Sequence, residues 1–148
     1  MRKSVIRLFL FVLIAMTMLA QGDAPAGVPA YNRRPPTKAD KLPPILPREQ
    51  RWGPYFQYPF QVRAYELASQ LSSELHQMPC YCYCDRIGHK SLRTCYETTH
   101  ASHCAACLKE LFYIHQEKAK GKTTAQIRKG IISGQWESID LEKAGQAK

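Results

Sequence analysis

Apolar positions recur every three to four residues in three stretches of this 148-residue chain, and each stretch predicts a helix. Between Gln61 and His76 the repeat is Val62, Tyr65, Ala68, Leu71 or Ser72, and Leu75. Pro79 closes that segment, because the residue before a proline avoids helical backbone. Between His100 and Lys120 the apolar stripe is Leu108, Leu111, Phe112, His115 and Ala119, with Thr98 or Thr99 as N-cap and Gly121 as C-cap. Thr123-Thr124-Ala125-Gln126 fits a capping box and opens a short third helix to about Ile132, ended by Gly134. Ile127, Ile131 and Ile132 are expected to close the core, and Trp136 to plug one end of it. Period-two alternation marks Cys80-Tyr81-Cys82-Tyr83-Cys84, where extended backbone sends three sulfurs one way and two tyrosines the other. Asp85 to His89 reads as a turn, with Gly88 its special position. The expected fold is therefore all-α: a small three-helix Cys-rich domain with an extended Cys-x-Cys-x-Cys hook, preceded by a Pro-rich linker.

The N-terminal pattern differs. Arg2, Lys3 and Arg7 precede an apolar run from Leu8 to Ala20, interrupted only by Thr17, and small-x-small sites follow at Ala20-Gln21-Gly22 and Gly22-Asp23-Ala24. A run of this length suits a secretory signal and is short for a membrane span. No cysteine precedes Cys80, so a lipobox is excluded, and residues 1–22 are expected to be a cleaved bacterial signal peptide, with an uncleaved single-span anchor as the alternative. Residues 23–58 hold eight prolines, a composition that resists helix and sheet and reads as a flexible linker. Within it begins an aromatic cluster, Trp52, Tyr55, Phe56, Tyr58 and Phe60, expected to pack on the domain as a lid or belt. The domain itself spans 59–136, and a polar tail runs from 137 to 148. One small domain of about 125 residues remains after export, in the periplasm or cell envelope, with no membrane span after signal cleavage.

Net charge is +9, and falls to +6 without Arg2, Lys3 and Arg7. The cations are scattered, with no run longer than Arg33-Arg34 or Arg128-Lys129. That pattern reads as a solvated face, with no nucleic-acid partner.

The chemistry concentrates in one window. All six cysteines, Cys80, Cys82, Cys84, Cys95, Cys104 and Cys107, lie within 28 residues, and His76, His89, His100 and His103 lie in or beside them. Thiolate and imidazole are the ligands that soft and borderline metals select. On a continuous helix, His100, His103, Cys104 and Cys107 share one arc of about 100°, facing the hook sulfurs. The candidate metal ligands are thus Cys80, Cys82, Cys84, Cys95, His100, His103, Cys104 and Cys107. That is more than one tetrahedral zinc ion requires, and a surplus of sulfur favours Cu(I), alone or as a small cluster, with zinc the second choice. The competing reading is three disulfides, the usual state of an even cysteine set in an exported protein. Neighbouring cysteines in Cys-x-Cys bridge only with strain, so pairing would run from the hook to Cys95, Cys104 and Cys107. A mixture of disulfide and metal also fits. Asp85 and Glu97 flank the window as partners for histidine, Glu110 and Glu117 read as solvent-exposed helix charges, and His76 and His115 as ordinary helix residues.

The window Pro79-Cys80-Tyr81-Cys82-Tyr83-Cys84, followed by Gly88-His89-Lys90-Ser91-Leu92, Cys95, His100 and Cys104-Ala105-Ala106-Cys107, resembles the bacterial family named for the motif Pro-Cys-Tyr-Cys-Gly-Cys. The likeness runs from about Val62 to Trp136, and Tyr83 stands where the motif has glycine. The resemblance implies a small exported protein and supports the domain boundary. Many members of that family are lipoproteins, whereas this chain has no lipobox.

Other chemistries fit less well. A c-type haem needs histidine after Cys-x-x-Cys, where Leu108 stands. A thioredoxin-like motif needs a βαβ setting, and a nucleophilic cysteine needs a thiol set apart from the rest. No phosphate loop or serine elbow is present. The expectation is a non-enzymatic, exported protein that buffers or delivers Cu(I). The alternative is a disulfide-stabilised module that meets an envelope protein through Trp52 to Phe60.

Overall fold

A computed structural model describes residues 26–146; the Leu8 to Ala20 run read as a signal lies outside them. Six α-helices occur among the described residues: α1 Pro59–Gln70, α2 Ser72–His76, α3 Leu92–Cys95, α4 Ala105–Ala119, α5 Thr124–Ile132 and α6 Leu141–Gln146. Short 3-10 turns link them, and no strand occurs among the described residues, so the all-α expectation holds.

The central element is α4. Cys107, Leu108, Glu110, Leu111, Phe112, Tyr113, Ile114 and Glu117 are all buried, a helix covered on most sides rather than along one stripe. Its partners are α1, α5, α6 and the turns flanking it. From α1 and α2 come Ala64, Tyr65, Leu67, Ala68, Leu71 and Leu75; from α5 come Ile127 and Ile131. The first predicted helix is thus present but bent at Leu71, next to the Ser72-Ser73 pair, a recognised place for helices to kink. The Thr123–Gln126 capping box forms as expected. Gly121, at φ 79°, ends α4, and its N–H donates to Lys118 O while that of Lys122 donates to Glu117 O.

From residue 26 onward, the proline-rich segment lies against this body. The Asn32 N–H donates to His76 O, the Leu46 N–H donates to Tyr96 O, and the Arg93 guanidinium donates to Pro43 O. Leu46 is buried and Arg128 stacks over Tyr31. Prolines keep the segment extended, and its remaining N–H groups and carbonyls pair with backbone and side chains of the body. Phe56 and Phe60 pack on the core, whereas Trp52, Tyr55 and Tyr58 stay exposed. At the other end, α6 packs on α1 so closely that a Cβ on Gly145 would sit 2.5 Å from that of Phe60.

Two expected details differ. The hook is a series of tight turns rather than an extended strand: Tyr83 N–H donates to Cys80 O at 3.0 Å, and His89 N–H to Cys84 O at 3.1 Å. Tyr83 adopts left-handed backbone, φ 57° and ψ 34°, which is rare for a residue with a side chain. The second predicted helix is broken at Cys104, with a 3-10 turn over Thr99–His103 before α4. Thr98 Oγ accepts the His100 N–H, Tyr65 Oη donates to Thr98 O, and Gln61 Nε2 donates to Ser102 O at 2.7 Å. Side chains of α1 therefore take carbonyls that a continuous helix would have used.

Candidate metal centre

The turned hook brings its three sulfurs together. Cys82 Sγ lies 3.0 Å from Cys80 Sγ and 2.8 Å from Cys84 Sγ. The start of α4 supplies Cys107, whose sulfur is 3.4 Å from Cys80 and 3.5 Å from Cys82. The end of α3 supplies Cys95, fully buried, 3.9 Å from Cys80. His100, on the 3-10 turn, points Nε2 at Cys84 Sγ across 3.0 Å. No two of the six cysteines stand at bonding distance, since these separations exceed a disulfide bond of about 2.05 Å.

Two sets of four donors result, each with its ligand atoms within 4.8 Å of one another: Cys80, Cys82, Cys95 and Cys107, and Cys82, Cys84, Cys95 and His100. Either set could hold a metal ion, since each offers four sulfur and nitrogen donors, the number and kind that a structural zinc ion takes. Six of the eight residues expected from sequence are thus brought together. His103 is not among them: it is exposed, with its ring 5.2 Å from Tyr55 and 5.8 Å from His100. Cys104, half-buried at the cap of α4, falls outside both sets although its thiol reaches Cys82 and Cys107 at the edge of the cluster. The helix break explains the departure of His103, because the common face predicted for His100, His103, Cys104 and Cys107 requires continuous helix through Cys104.

Electrostatically, Cys82 is the hub. Hydrogen bonds from the Cys104, Cys107, Cys80 and Cys95 thiols push its pKa well down, making it the sulfur most favoured as thiolate. Cys107 moves the other way, raised by its contacts with Cys104, Cys80, Cys82 and Cys95 and by burial. Burial lowers the pKa of His89, with a further push from His100 beside it and an opposing pull from Cys82.

His89 lies in the window but is not among the candidate ligands expected from sequence, and Glu110 is not expected at the site. His89 Nδ1 reaches Cys95 Sγ at 3.2 Å. Glu110, expected on the surface, is fully buried behind the hook, where Oε1 accepts the Tyr81 N–H at 2.6 Å and Oε2 has no partner. Burial raises its pKa to about 8, against the lowering pull of the Tyr81 N–H and the Cys80 thiol. Its position three residues after Cys107 was the available signal, since residues at that spacing share a helix face. Glu117 is buried too, not exposed, and pairs with Lys120 and Lys122. Asp85 and Glu97 do not partner histidines: Asp85 accepts the Ala30 N–H and Glu97 pairs with Arg93.

A surface cleft of about 300 Å³ lies between the proline-rich segment and α3, lined by residues including Asn32, His76, Arg93 and Glu97. No cysteine borders it. Among the described residues, no helix is long and apolar enough to cross a membrane. In comparisons with known proteins, the chain matches no family model, no curated protein and no solved structure.

Proposed function

We propose that this is an exported metal-binding protein that buffers or delivers copper as Cu(I). The carrying observation is the convergence of five cysteine sulfurs and one imidazole on a mostly buried centre. Soft, polarisable thiolates in excess over imidazole suit Cu(I), which accepts two, three or four such ligands. Export rests on the charged start and apolar run of residues 1–22. A binding rather than catalytic role is supported by the thiols themselves: those of the hook lie against one another, and none is set apart as a nucleophile.

Delivery would proceed from the histidine end of the cluster. His100 touches Cys84, the rings of His100 and His103 lie 5.8 Å apart, and His103 faces Tyr55 at the surface. Exposed Trp52 and Tyr58 flank Tyr55 in sequence, and an envelope partner docking there would meet the histidine end of the cluster. A structural zinc centre is the second reading, favoured by the four-donor sets, which match the coordination number zinc takes. Anaerobic competition separates the two. For a copper protein, Cu(I) offered with a chelator displaces zinc from the reduced chain and is retained. Retention of zinc against Cu(I) would favour the structural reading.

A further inference from the structure

We infer that the cluster takes two thiophilic metal ions, bridged by the sulfurs of Cys82 and Cys95. This rests on the metal-binding reading and adds to it a count and a connectivity. The two four-donor sets overlap in those two residues and in no others. An ion in the first set has Cys80 and Cys107 as its own ligands; an ion in the second has Cys84 and His100. Two four-coordinate ions need eight ligand positions, and six donors fill them when two donors are shared. Thiolate sulfur carries enough lone pairs to bind two ions, whereas an imidazole nitrogen carries one. The residues common to both sets are both cysteines, and the lone histidine is terminal.

The fold places the shared pair at the middle. Cys82 sits between Cys80 and Cys84 on the hook, within 3.0 Å of each. Cys95 approaches from α3, fully buried, with Cys80 at 3.9 Å and His89 Nδ1 at 3.2 Å. A single four-coordinate ion would use one set and leave the other two donors idle. That would strand either Cys80 and Cys107, both buried, or Cys84 and His100, whose contact would then serve no ion. Five thiolates leave a net charge near −1 with two divalent ions and near −3 with two Cu(I) ions, at a mostly buried centre.

The probe is Cd(II), added anaerobically to the reduced full chain, with native mass spectrometry for the count and 113Cd NMR for the connectivity. Two ions per chain are expected, with the β-protons of Cys82 and of Cys95 each coupled to two cadmium nuclei. The Cys84→Ser, His100→Ala double variant should drop from two ions to one. The wild-type spectrum carries the test if that variant does not fold. One ion per wild-type chain, or two ions with no cysteine coupled to both, would overturn the bridge and leave metal binding intact. A reduced chain that binds no ion would overturn both.

Discussion

Glu110 Oε1 accepts the backbone N–H of Tyr81 at 2.6 Å, so a buried carboxyl on α4 pins the peptide between the first two cysteines of the hook. Without that acceptor, a buried N–H loses its partner and the Cys80–Cys82 turn loosens. Glu110→Ala is expected to weaken metal affinity about 10–100-fold, as loss of a group orienting metal ligands commonly does. Glu110→Gln keeps an acceptor at the same place and should retain most of it. Chelator competition on the two variants measures the difference.

The same carboxyl gives the metal-free protein a pH dependence. Its pKa rises from the ordinary 4.5 to about 8 on folding, so the folded chain holds a proton that the unfolded chain releases. Its contribution is fully favourable below about pH 4.5 and is lost as pH rises through about 8. The loss amounts to at most about 5 kcal/mol. Urea unfolding of the apo protein at pH 6 and pH 9 should show the decline, and Glu110→Gln should flatten it.

Tyr83 occupies left-handed backbone, a region that favours glycine. A side chain there costs about 1–2 kcal/mol. Part of that is offset by Arg86 stacking over the ring and by the edge contact with Tyr81. Tyr83→Gly should therefore raise stability by roughly 0.5–1 kcal/mol and leave metal stoichiometry unchanged. Thermal unfolding checks the first and metal analysis the second.

What the sequence disclosed, and what it did not, follows from the range of the interactions. The three apolar stripes and the Thr123–Gln126 cap are local patterns, and each produced its element. The break at Cys104 depends on Gln61 reaching Ser102 O, 41 residues away, which no local window contains. Glu110 looks like a surface charge until Tyr81, 29 residues earlier, is folded against it. The alternation of Cys80 to Cys84 is compatible with a strand and with nested turns alike. Only packing against Cys95 and α4 selects the turns. The cysteine set was nonetheless evident, because residue type and crowding identify soft ligands whatever the backbone does.

His100 and His103 should separate functionally. His100 Nε2 contacts Cys84, whereas His103 is exposed and outside both donor sets. His100→Ala is expected to lower metal affinity at least tenfold, and His103→Ala to leave it within twofold. On the delivery reading, His103→Ala slows transfer to a chelator without changing the equilibrium. Stopped-flow transfer alongside equilibrium competition distinguishes the two effects.

The most direct measurement is metal content and thiol state together, on protein purified anaerobically from the cells that make it. The expected result is bound metal, copper foremost, with the cluster thiols protected from alkylation until a strong chelator removes it. Protein without metal, six hydrogens lighter than the reduced chain because all six cysteines are paired, would contradict the proposal.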